Sequence, residues 1–191
     1  MMTTTTPTTE TATVASSLRK LYFVRFAFAV VWAVLVFVTA PSAGAALGFA
    51  TVALLVLYPL FDVAAAVVDS RSNRGTGATP LLYINMALSL LAAIGLAIAA
   101  ASGTPAVLVV WGVWAITAGA VQLIVALRRR ALGGQWAMIL SGGLSVLAGA
   151  GIASMAGGAS ASVGTVGGYA TLGGIFFLVS ALRLGRATKG L

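Results

Sequence analysis

The chain has 191 residues, 60% hydrophobic and 7% charged, with a net charge of +8 and neither Cys nor His. Soluble domains carry about a quarter charged residues, so this composition excludes an ordinary soluble domain and leaves a lipid-embedded one. Without Cys and His there are no disulfides, no thiolate chemistry, no haem ligation through either residue and no usual zinc site. The three acids, Glu10, Asp62 and Asp69, are too few for a metal cage, so neither a cofactor nor a metal is expected.

Residues 1–17 are Thr-rich, with Thr3, Thr4, Thr5, Thr6, Thr8, Thr9, Thr11 and Thr13, and read as a disordered cytoplasmic tail. No Lys or Arg precedes Arg19, so the tail is not a secretory n-region, and the Ala40-Pro41-Ser42-Ala43 stretch is read as retained rather than cleaved. A membrane span needs about 20 apolar residues. Six runs fit: Leu21–Ala40, Ala45–Val68, Leu81–Ala101, Pro105–Leu127, Trp136–Ala156 and Val163–Leu182. They predict an all-α integral membrane bundle of six transmembrane helices over residues 18–186, followed by a short basic tail at 187–191.

The connections alternate in character. Pro41–Gly44, Ser102–Pro105 and Gly157–Ser160 are short and uncharged. The opposite side carries Arg19, Lys20, Arg71, Arg74, Arg128, Arg129, Arg130, Arg183, Arg186 and Lys189. Basic residues at the ends of apolar runs set orientation, which explains the positive charge without nucleic acid. Both termini are expected in the cytoplasm, in an inner (plasma) membrane protein. Arg128, Arg129 and Arg130 serve as topology anchors, with a weaker capacity to attract anionic head groups. Tyr22, Tyr83 and Trp136 fall where an interfacial aromatic belt belongs. The loop from Arg71 to Pro80 is polar and flexible, and its Gly75-Thr76-Gly77 is too short for a phosphate-binding loop.

The apolar runs repeat. Leu88-Ser89-Leu90-Leu91-Ala92-Ala93-Ile94-Gly95 recurs as Leu144-Ser145-Val146-Leu147-Ala148-Gly149-Ala150-Gly151, an offset of about 56 residues. Ala115, Gly119, Leu123 and Arg128 recur as Ala170, Gly174, Leu178 and Arg183. The pattern predicts three αα-hairpin repeats, at about 18–71, 80–130 and 135–185, with the first the most diverged. In lipid, helices associate through close approach at small residues. Ser89, Ala93, Ala97 and Ala101, with their copies Ser145, Gly149, Ala153 and Gly157, form such stripes, read as packing faces rather than a pore lining.

These residues resemble the HdeD-like acid-resistance membrane proteins, a short-repeat family otherwise labelled a domain of unknown function. The resemblance rests on the stretch Trp111–Leu123 leading to Arg128-Arg129-Arg130, then Gly134-Gln135-Trp136 and Leu140–Gly149, and finally Tyr169–Ile175 and Ala181-Leu182-Arg183. It covers about residues 80–185 well and the first hairpin loosely. It implies a six-helix inner-membrane protein linked to survival at low pH, with no established catalytic residues to carry over. The chain departs from the pattern at Asp62, which stands where the other hairpins have Gly119 and Gly174, and in its Thr-rich start.

Asp62 lies about two helical turns deeper than Asp69 on nearly the same face. An intramembrane carboxylate is expensive and marks a candidate site. Arg25, inside the first run, can reach it; Tyr58, Asn85 and Gln122 are alternative hydrogen-bond partners. In one reading Asp62 fixes how the first hairpin docks; in the other it titrates in a proton or solute path. Pro59, just before it, loosens the local backbone in either case. Asp69 reads as an end residue near Arg71, solvated or loosely paired, and Gln122 as satisfied across a helix interface. Ser141 and Ser145 have no evident base, so an enzyme is not expected. The expected function is a non-enzymatic multi-pass inner-membrane protein, in acid or envelope stress tolerance by resemblance. The alternative is a small proton-linked transporter or channel using Asp62. Expected partners are the lipid bilayer and, as an open alternative, further copies of the chain or other membrane proteins.

Overall fold

The computed structural model describes residues 6–42, 44–72, 78–159 and 161–187. Among these there are six long helices and no strand: α1 (Thr6–Thr39), α2 (Phe49–Ser72), α3 (Thr79–Ala99), α4 (Thr104–Arg128), α5 (Trp136–Met155) and α6 (Gly164–Ala187). Each contains a stretch of 20 residues or more that is long and apolar enough to cross a membrane. Two of the starts follow from proline, since Pro80 and Pro105 sit in the first turns of α3 and α4, where the missing N–H costs nothing.

The helices form a closed ring. Each packs on its neighbours in sequence, and α6 returns to pack on α1. The most extensive contacts are α4 on α5, α1 on α6 and α2 on α3. These pairs join different predicted hairpins, so the tightest seams run between hairpins rather than within them. The outer surface is apolar: Val38, Phe49, Leu91, Ile98 and Leu147 are all more than 60% exposed. A large apolar surface of this kind has its counterpart in lipid tails, not water.

The α4–α5 seam shows how small residues set the spacing. A Cβ on Gly112 would fall 2.6 Å from the Gly149 carbonyl, and one on Gly149 would fall 2.6 Å from the Gly112 carbonyl. Two turns away, Gly119 and Gly142 meet in the same way, with Gly119 also facing Ser145. The predicted α5 stripe is therefore a packing face as far as Ala153, which lies against Gly112. On α3 the stripe is buried at Ser89 and Ala93, but Ala97 turns outward. A spacing of four residues exceeds the 3.6-residue turn, so the stripe rotates off the contact face.

Two expectations are corrected. The Thr-rich segment is helical from Thr6, and α1 continues through it without a break; residues 1–5 lie outside the described residues. Val14, Ala15 and Leu18 are buried against Phe177, Ala181 and Leu184, and this packing overrides the modest helix propensity of threonine. Tyr22 is not an interfacial belt residue, because it is buried and bonded to Gln135 at 3.1 Å. Tyr83 and Trp136 are exposed, as a belt requires. The loop glycines Gly75 and Gly77, with Arg74, lie outside the described residues, as does Lys189.

Candidate functional site: a cavity lined by two ion pairs

A cavity of about 110 Å³, partly open, is lined from all six helices. Its lining includes all five residues singled out as intramembrane polar candidates (Arg25, Asp62, Asp69, Asn85 and Gln122), together with Arg129. One chamber is therefore lined by both ion pairs found among the described residues.

Asp62 is its centre. Arg25 Nη1 lies 3.0 Å from Asp62 Oδ1, and both side chains are largely buried. The other carboxylate oxygen accepts a hydrogen bond from Asn85 Nδ2 and a second, at 2.9 Å, from Ser89 Oγ. Ser89 in turn accepts from the Trp114 indole N–H at 3.0 Å. The chain Trp114–Ser89–Asp62–Arg25 thus ties α4, α3, α2 and α1 together. Arg25 also lies over the Phe177 ring of α6, 5.1 Å from its centroid, a cation–π contact suited to a desolvated guanidinium. Of the three hydrogen-bond partners considered for Asp62 besides Arg25, Asn85 is the one used. Gln122 instead donates to the Met138 carbonyl of α5 at 3.4 Å, which matches the expectation that its amide is satisfied across an interface. Ser89 and Trp114 were not singled out as polar partners. The sequence signals for Ser89 were its places in a repeated Leu-Ser pair and in a small-residue stripe, both of which read as packing, and the indole N–H is hidden in an apolar helix.

Two turns along α2, the second acid is corrected. Asp69 is 6% exposed and is paired with Arg129, not with Arg71. The pair is bidentate, with Nη1 and Nη2 of Arg129 at 2.8 Å and 2.9 Å from the two carboxylate oxygens. Arg129 is correspondingly not a solvated anchor. It is 2% exposed, whereas Arg128 and Arg130 on either side are exposed and keep the anchor role open to them. The cause is the α4–α5 connection. Arg129 ends α4 as its C-cap residue, and the chain turns back through Gly133 and Gly134, which adopt φ values of +73° and +65°. Gly134 also sits so close to Leu184 that a Cβ would approach its amide nitrogen to 2.9 Å. The turn folds Arg129 over the end of the ring, next to Gln135, which receives the Tyr22 hydroxyl. A single Arg among three carries no local pattern that marks it as the buried one.

At the opposite end the cavity meets an aromatic group. Trp32, Tyr58, Trp111, Trp114 and Tyr169 form one connected cluster of edge, tilted and stacked contacts, with centroid separations from 4.6 Å to 6.4 Å. Trp32 donates to the Leu54 carbonyl at 2.7 Å, beside the Leu55 carbonyl that Pro59 leaves without its helical donor. Tyr58, Trp114 and Tyr169 stand 56 and 55 residues apart. Trp114 bonds Ser89, and Tyr169 bonds Ser145 at 2.8 Å. The residue of the first hairpin matched to Ser89 and Ser145 is Ala29. Tyr58 therefore has no serine to meet, and its hydroxyl makes no hydrogen bond to another described residue.

The site is electrically balanced. Each carboxylate is engaged by a guanidinium, and the two acids lie two helical turns apart, so no acid pair is left to hold a cation. No family model matches the chain, and neither a curated protein nor a solved structure matches it.

Proposed function

We propose that this is a non-enzymatic, multi-pass protein of the cell membrane that passes a small solute through the cavity of its helix ring, as a transporter or channel. The observation that supports the reading is the cavity itself: polar side chains from α1 to α6, both ion pairs among them, line one chamber. A packed scaffold gains nothing from leaving such a space, because polar groups in lipid are costly unless satisfied. Arg25 and Asp62 form the polar waist of the path. In the proton-linked version of this function, Asp62 takes up a proton, Arg25 loses its counter-charge, and the α1–α2–α3 junction rearranges. The termini and the arginine-rich ends face the cytoplasm in this reading, by the positive-inside rule.

One observation favours a second reading. Asp62 holds three helices together, which is what a scaffold residue does. The scaffold reading goes with the acid- or envelope-stress role, whose support is the sequence resemblance to the HdeD-like proteins.

The test is flux in liposomes that carry the purified protein and a trapped pH-sensitive dye, with and without a solute gradient, for wild type and Asp62→Asn. Proton movement lost in the variant supports proton linkage. Solute movement without protons supports a facilitative path. Movement of neither above empty liposomes overturns transport and leaves the scaffold.

A further inference from the structure

We infer that the cavity selects small, uncharged, hydrogen-bonding solutes of the amide class and rejects ions of the same size. This rests on the reading of the cavity as a solute site and names the chemistry it accepts.

The first argument is charge. A cavity with a spare Arg or Asp offers an ion the counter-charge that offsets its lost hydration. Here Arg25 is matched by Asp62 at 3.0 Å and Arg129 by Asp69 at 2.8 Å. An entering anion or cation would find no unmatched partner while losing its water shell in a low-dielectric interior, a cost of tens of kcal/mol for an isolated ion. To bind, it would have to break one of the two pairs and strand a buried charge.

The second argument is the set of hydrogen-bonding groups left over. The hydroxyls of Tyr58 and Ser141 line the cavity and bond to no other described residue. The amides of Asn85 and Gln122 each spend one N–H, on Asp62 and on the Met138 carbonyl, so the oxygen and the second N–H of each remain open. Two hydroxyls, which donate or accept, and two amides, each with an open oxygen and one open N–H, complement a molecule with one carbonyl and one N–H₂ group. A chamber of about 110 Å³ has room for a molecule of a few heavy atoms. Trp114 and Tyr58 close one end with ring surface, against which a planar amide can lie.

The chain has no cysteine, so one introduced thiol reports on the cavity alone. Ala118 lines the cavity and takes no part in its hydrogen bonds, which makes Ala118→Cys the probe. Its alkylation is measured in membrane vesicles with iodoacetamide, with iodoacetate and with 2-bromoethylammonium, each rate divided by that reagent's rate with free glutathione. The expected result is a normalised rate for the neutral amide at least tenfold above either ion. Adding Tyr58→Phe or Ser141→Ala should narrow that ratio severalfold, because each removes an open hydroxyl and leaves both ion pairs in place. Equal normalised rates for the three reagents overturn the inference, as does a faster ion. So does no labelling by any reagent when the same thiol reacts after denaturation, since the cavity is then closed to solutes. Proteoliposome swelling with urea, guanidinium and nitrate, three planar solutes of similar size, separates the two proposals. Amide-selective labelling without urea flux sustains the selectivity and removes transport, while flux of all three sustains transport and removes the selectivity.

Discussion

Replacing Gly149 by Ala should destabilise the ring far more than replacing Gly151 two residues later. A Cβ on Gly149 would sit 2.6 Å from the Gly112 carbonyl oxygen, 2.8 Å from the Ile116 amide nitrogen and 2.9 Å from Ile116 Cγ1. Two of these three neighbours are backbone atoms of α4 and cannot swing away. To restore ordinary contact, α4 and α5 must separate locally by about 0.8 Å, and a gap of that size forfeits a quarter to a half of each dispersion well along the seam. Overpacking of this kind costs about 1–3 kcal/mol. We take about 2 kcal/mol, since rigid backbone meets the new methyl, which corresponds to a melting temperature lower by about 4–8 °C for a chain of this size. A Cβ on Gly151 meets nothing within 4 Å, and alanine is the better helix former by up to about 1 kcal/mol. The assay is thermal unfolding of both variants in one detergent, followed by the surviving monodisperse fraction. A Gly149→Ala melting point within about 1 °C of Gly151→Ala would refute close glycine contact as the basis of the α4–α5 seam.

Three further outcomes are expected from the same unfolding assay. Asp69→Asn and Arg129→Gln should each cost about 3–5 kcal/mol, because each strands a buried charge, whereas Arg128→Gln stays within about 0.5 kcal/mol; a double variant no better than the sum of the two would show that they are not partners. Tyr169→Phe and Ser145→Ala should each lose about 1 kcal/mol and fail to add, since they break one shared hydrogen bond, while Tyr58→Phe, whose hydroxyl meets no described residue, costs less than about 0.5 kcal/mol. Val14→Asp should lose about 2 kcal/mol or more by placing a charge where a buried valine packs on α6, and an unchanged melting point would return the Thr-rich segment to the status of a tail.

The membrane class and the six helices were legible in the sequence because they depend on composition and run length alone. A 20-residue apolar run has few alternatives in lipid, where every backbone N–H and C=O must be satisfied within the helix. The partnership of Arg25, Asp62 and Asn85 was legible for a related reason: ionisable groups inside apolar runs are so few that they nearly select one another. Ring closure was not legible, since nothing local in α1 or α6 says that they meet. The segment from Thr6 to Ser17 was misjudged because its helix is held by Val14, Ala15 and Leu18 against α6, a contact made across the whole length of the chain. Asp69 and Arg129 were assigned to the water interface from their places near helix ends, and only the turn at Gly133–Gly134 reveals that the second is folded inward onto the first. Composition and period thus determined what the chain dissolves in and how many times it crosses. Which polar groups face one another across the ring, and that they leave a balanced cavity between them, was decided by tertiary packing, because side chains far apart in sequence share no pattern that a single chain can display.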